Sequence, residues 1–231
     1  MTRSTNAKIA GFTFLFYIAA GITTLALSSR AIGTGDIAAK LASIAQHVTA
    51  MRVLVVLYLL LSFAPLVLAV TLYALTRDQD PDLARLGMIC RVLEGIADSI
   101  PATLGLLWLA TATDAKALDT DAVHALGAFQ LRPGEGTSAM FFAVGSTLFS
   151  WLLLRGRMIP VALGRLGVGA SVLLVVILPL QLAALVGGPE NWLGPVTWLM
   201  WLPMLVFEVT LALWLILKGA AKPINPPVSE D

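Results

Sequence analysis

Six apolar stretches, each long enough to cross a bilayer or nearly so, constrain this chain more than any other feature. A helix needs about 20 predominantly apolar residues to span the hydrocarbon core. The stretches run roughly from Ile9 to Leu27, Val53 to Leu75, Leu86 to Ala110, Met140 to Leu154, Val161 to Val186 and Trp192 to Leu217. The fourth is the shortest; it must take in Ser138 and Ala139 or let its arginines snorkel. The first is too long and too rich in threonine for a cleaved signal peptide, and is read as a span. The expected fold is therefore all-α, a polytopic membrane bundle of six transmembrane helices. Residues 1–222 form one domain and residues 223–231 a disordered tail.

Composition removes the competing classes. The chain is 58% hydrophobic and 13% charged, where a soluble domain carries about 25% charged residues. That deficit excludes a disordered chain, a nucleic-acid partner and an ordinary cytosolic enzyme. A formal net charge of +1 gives no global field that would select an acidic partner. One cysteine, Cys90, excludes an intrachain disulfide and a multi-cysteine metal site, and His47 and His124 are too few for a histidine-rich one. No metal or cofactor is expected. Gly167 to Ser171 lacks the strand and the Lys-Ser/Thr ending of a phosphate loop, and is read as a small-residue packing seam.

The loops orient the bundle. With the N-terminus inside, Arg3, Lys8, Arg77, Arg85, Arg155, Arg157, Arg165, Lys218 and Lys222 fall on the cytoplasmic side. Arg30, Lys40, Arg52, Lys116 and Arg132 fall outside. Nine against five places both termini in the cytoplasm of a bacterial inner membrane. Trp108, Trp192 and Trp198 would mark the outer interface and Trp151 and Trp214 the inner one, with Trp201 deeper and packed. After the first span, Ile37, Leu41, Ile44, Val48 and Met51 share one helical face behind Asp36, an N-cap residue. This predicts a short amphipathic helix on the outer surface. A second short helix is expected at DAVHALGAF, within the outer loop 112–137.

Ionisable groups inside spans are costly, about 2.5–3.5 kcal/mol each on insertion scales, and call for a partner or a purpose. In the third span Arg91, Glu94 and Asp98 are spaced i, i+3, i+7 and lie along one helical face. Pro101 then removes a backbone hydrogen bond and kinks the helix. Glu208 in the sixth span lies ~15 Å from the Lys218 end, and Glu94 and Asp98 lie ~12 and ~18 Å from the same face. The three carboxylates share one depth if spans three and six are neighbours. One arginine cannot neutralise them. Either Arg155 and Arg157 reach in, or a carboxyl is protonated, or a cation binds. The structural alternative is an Arg91–Glu94 ion pair along the helix with a Glu208–Arg157 pair between helices. Ser62, Pro65, Ser99 and Gln181 are read as packing and interhelical hydrogen-bonding sites, and Tyr17, Tyr58 and Tyr73 as interfacial anchors.

An ordered set of residues also carries a resemblance. Gly35-Asp36 follows the first span, Arg52 opens the second and Leu72-Tyr73-x-Leu75 closes it. Arg91-x-x-Glu94 follows in the third span, and Arg157-x-x-Pro160 follows the fourth. Glu208, Trp214 and Lys218-Gly219 end the series. The chain resembles, over about Ala10 to Gly219, a group of bacterial six-helix membrane proteins known as domain of unknown function 4386. It departs from their pattern at Ser43-Ile44, where an Asn-Ile pair is usual. The resemblance implies architecture and membrane location, and no activity.

The leading functional expectation is a pocket at Arg91, Glu94, Asp98, Arg157 and Glu208 that binds a small or lipidic ligand or a proton. Arg155, Arg52 and Asp36 are secondary candidates. A transporter of this length would need a homodimer or larger oligomer. The alternative is an intramembrane enzyme working on a lipid or isoprenoid by carboxyl acid–base chemistry. A third is a structural or signalling subunit packed solid around its charges.

Overall fold

The computed structural model describes residues 1–113, 136–183, 185, 186 and 195–224. Eight helices account for most of them: α1 (Arg3–Ala31), α2 (Ile37–Gln46), α3 (Val48–Thr76), α4 (Pro81–Asp98), α5 (Ile100–Thr113), α6 (Gly136–Arg155), α7 (Val161–Leu182) and α8 (Pro195–Leu217). There is no strand among the described residues. Six segments are long and apolar enough to cross a membrane, the third being α4 and α5 together. The chain is an integral, multi-pass membrane protein.

The helices start where local chemistry supplies caps. Thr2, Asp36 and Asp80 each accept a hydrogen bond from a backbone N–H three residues on, and Pro81 opens α4 where its missing N–H costs nothing. Most helices run past the apolar stretches read from sequence, α1 by six residues at its N-terminal end, because backbone hydrogen bonding continues into the polar end turns. α6 does take in Ser138 and Ala139. Pro101 has the expected effect in a stronger form. The third span breaks at Ser99, whose hydroxyl and N–H both donate to the Ile96 carbonyl, and Pro101 sits in the first turn of α5.

The spans pack in chain order around a ring: α1 on α3, α3 on α4, α4 on α6, α6 on α7, α7 on α8, and α8 back on α1. Spans three and six therefore stand across the ring and are not packing neighbours, which corrects the contact assumed from the sequence. Both ends of the described chain lie together, since the Arg3 guanidinium donates to the Ala220 and Ala221 carbonyls.

Two apolar cores follow from this topology. The larger fills the ring, with Leu68, Leu72, Phe149, Leu174, Phe207 and Leu211 among its members. Gly167 brings α7 against the Phe207 ring and the Ser150 hydroxyl, so the glycine there is a packing seam. The smaller core lies where α2 and α5 meet the start of α3, around Ile44, Met51, Leu54 and Trp108. The amphipathic helix read from sequence exists, but it is not simply laid on the membrane surface. Its Ile44 is fully buried against protein, because α2 packs on α5 and α3. Ser43 ties it down by donating to the Ala31 carbonyl at the end of α1.

The tryptophans divide by role. Trp201 packs against Phe142, Trp108 is buried, and Trp151 and Trp198 are exposed. Trp192, His124 and the short helix expected at DAVHALGAF lie outside the described residues. So does 225–231 of the expected tail, although the Ile224 N–H donates to the Gly156 carbonyl.

Candidate functional site

Inside the ring, the i, i+3, i+7 face of α4 is turned to the centre. Arg91 is 1% exposed and Glu94 is fully buried. One guanidinium nitrogen, Nη1, donates to both Glu94 oxygens at 3.2 and 3.0 Å, so the ion pair expected within the helix is present. The other, Nη2, donates to Ser146 Oγ at 2.7 Å. The planar group also lies 4.8 Å from the Phe142 ring centroid and 6.0 Å from that of Phe14. Stacking on aromatic faces and forked donation are what an arginine does better than a lysine in a buried site.

The network continues away from Arg91. The Tyr17 hydroxyl on α1 donates to Asp98 Oδ2 at 2.9 Å and lies 3.3 Å from Glu94 Oε1. The Ser138 hydroxyl at the start of α6 donates to Asp98 Oδ1. The break at Ser99 leaves Asp98 as the last residue of α4, where these two hydroxyls converge on it. One chain of polar contacts thus links Ser146, Arg91, Glu94, Tyr17, Asp98 and Ser138, drawing on α1, α4 and α6.

Glu208 completes the cluster from the opposite side of the ring. It is 6% exposed, and its Oε1 has no hydrogen-bond partner among the described residues. With Arg91, Ser146, Ser150 and Phe207 it lines a void of about 10 Å³. Arg91 Nε is likewise buried and without a partner among the described residues. A void of this size holds about one water molecule and no substrate. Glu94 lies within electrostatic reach of both Asp98 and Glu208. Among the described residues Arg91 is the one buried cation, facing Glu94, Glu208 and the half-buried Asp98.

Four residues proposed from sequence lie elsewhere. Arg157 is exposed in the turn after α6, where its φ of 49° marks a left-handed residue that reverses the chain. It does not approach Glu208, so the expected interhelical pair is absent. Arg155 pairs at 3.5 Å with Asp80 at the rim, both partly open to solvent. Arg52 is exposed near the start of α3. Asp36 is a helix cap, accepting from the Ala39 N–H at 2.8 Å. Each is placed by topology or capping, and none faces the cluster. Arg155 is held at the rim by Asp80 and Arg157 by the turn after α6, so neither reaches in.

Sequence reading missed Tyr17, Ser138 and Ser146. Tyr17, an interfacial anchor by its sequence position, is instead the link between Glu94 and Asp98. Ser138, Phe142, Ser146 and Ser150 recur every four residues along α6, a polar and aromatic stripe on one face. That spacing was the available signal. No group of three His, Cys, Asp or Glu side chains among the described residues is arranged to hold a metal.

A family described as Domain of unknown function (DUF4386) matches this chain over residues 9–219. Neither the curated proteins nor the solved structures contain a match. The family match covers nearly every described span and both sides of the cluster.

Proposed function

We propose that this chain, which belongs to the DUF4386 family, is a membrane protein that holds and exchanges a proton at the Arg91–Glu94–Asp98–Glu208 cluster. The observation that carries the reading is a mismatch of charge and donors inside the ring. Glu94 receives Arg91 on both oxygens, and Asp98 receives two hydroxyls. Glu208 is the carboxyl whose Oε1 no donor reaches among the described residues. A buried carboxylate that shares its one cation with two others and lacks a donor on an oxygen is strongly disfavoured, whereas a carboxylic acid is neutral and brings its own donor. Glu208 is therefore the group that carries the proton, and the contacts from Arg91 to Ser138 are the route by which its charge state is felt across the bundle.

The small void argues against a bound solute or a lipid substrate at this point, and hence against the transporter and intramembrane-enzyme readings. The solid packing does favour one other reading, a structural subunit whose charges only fix the bundle. The basic rim at the end bearing both termini supports a cytoplasmic placement of that end in an inner membrane.

Infrared difference spectroscopy on the purified protein, stepped across about pH 5–9, separates the two readings. A protonated carboxyl stretch that is lost in Glu208→Gln is the expected result. A spectrum without any protonated carboxyl throughout that range would remove the proposal and leave the structural reading.

A further inference from the structure

A second cavity shares no lining residue with the cluster, and neither reading of the interior uses it. It is a cleft of about 710 Å³ at the end of the bundle where both termini meet. Its walls are the start of α1, the end of α3 and the tail, and it includes Asn6, Val70, Ala74, Arg77, Asp78 and Lys222, with Arg3. Three cations face one carboxylate. Asp78 stands 3.7 Å from Arg77 Nε and 3.9 Å from Arg3 Nη1, beyond hydrogen-bond distance. The donors of Arg77 are thus left available to an anion. Arg3 is different, because its Nε and Nη2 are committed to the tail carbonyls. It builds the cleft more than it lends charge to it.

Asn6 gives an independent indication. It is 6% exposed, its side chain makes no hydrogen bond with the described residues, and it lines the cleft. At the cleft wall its amide N–H groups are donors that an oxyanion or a glycerol oxygen would accept.

The apolar wall decides what kind of anion fits. Val56, Leu60, Phe63, Val67 and Val70 are all exposed and recur at alternating steps of four and three along α3. They form one outward stripe, which continues through Ala74 to Arg77 at the cleft. An apolar lane that ends on a basic pocket at the membrane edge has the layout of an amphiphile with a negative head. We propose that this cleft seats the phosphate of an anionic membrane phospholipid, with an acyl chain lying along the α3 stripe. Arg77 and Lys222 hold the phosphate, Asn6 takes a glycerol or phosphate oxygen, and Arg3 holds the tail that closes the cleft.

The test uses the full chain in detergent, with bound lipid counted by native mass spectrometry. Phosphatidylglycerol should bind on the order of tenfold more tightly than phosphatidylcholine, as expected for two surface cations sharing one phosphate. The double variant Arg77→Gln/Lys222→Gln should lose that preference. Equal binding of the two lipids, or a preference that survives in the double variant, overturns the proposal. Inorganic phosphate and soluble glycerophosphate are run as separate arms. If either competes as well as the lipid, the site recognises the head alone and the lipid assignment is wrong. A phosphatidylglycerol carrying a photoreactive group near its head tests the unaltered chain. Labelling of residues 63–78 is expected, and labelling confined to other helices overturns the proposal without depending on how any variant folds.

Discussion

Arg91 and Arg157 belong to the same residue type and to the same expected site, yet the structure treats them in opposite ways. Arg91 is enclosed, hydrogen-bonded to Glu94 and Ser146 and stacked on Phe142. Arg157 is exposed in a left-handed turn and makes no ion pair with the described residues. The difference teaches that a charge inside a membrane bundle is held by the shape and partners around it. A charge at the rim is held only by where the chain must turn. The interior should therefore be sensitive to substitution and the rim tolerant.

The largest effect is expected at the interior cation. Arg91→Leu leaves Glu94 buried without its partner and should cost about 3–5 kcal/mol in equilibrium unfolding. A loss under about 1 kcal/mol would mean that the ion pair does not hold the ring, and the contrast with the rim would collapse.

Next is the backbone approach that lets α4 turn its charged face inward. A Cβ on Gly95 would stand 2.7 Å from the Ser62 carbonyl oxygen on α3. Gly95→Leu should push the two helices apart and destabilise by about 1–3 kcal/mol, read as a lower midpoint of thermal unfolding. An unchanged midpoint would show that α3 and α4 are not so closely packed.

Glu208→Gln sharpens the comparison within the cluster itself. Because Oε1 has no donor to lose among the described residues, the substitution should alter stability by less than about 1 kcal/mol, unlike Arg91→Leu. A loss as large as that of Arg91→Leu would identify Glu208 as a structural partner of the arginine and count against its role as the proton carrier.

The smallest effect has the opposite sign. Arg157→Gly relieves a left-handed residue, which costs a non-glycine side chain about 1–2 kcal/mol, against about 1 kcal/mol for the added freedom of the unfolded chain. A net gain of about 0.5 kcal/mol in denaturant unfolding is expected. Any marked destabilisation would show that the guanidinium has a role that the exposed turn does not reveal.

Much of the architecture could be read from the chain because the bilayer enforces a local rule. Each span must satisfy its own backbone hydrogen bonds and be apolar over a fixed length, and both conditions are written in consecutive residues. For the same reason the break near Pro101, the cap at Asp36 and the amphipathic helix behind it were legible. The Arg91–Glu94 pair was legible too, since three residues along a helix bring side chains together without reference to the rest of the fold.

What lay beyond that local range was misread or missed. Arg157 follows a span closely in sequence, which points to the cluster, whereas the turn that carries it leaves it exposed. Tyr17 could not be recognised, because its partners are 77 and 81 positions away on another helix. The sequence by itself determined the six spans, their polar ends and the presence of unbalanced charge at membrane depth, all properties of single helices. Only the tertiary structure decided that the spans close into a ring in chain order. That closure sets Glu208 across a small void from Arg91, and no periodicity within one helix encodes which faces of two opposite helices will share a centre.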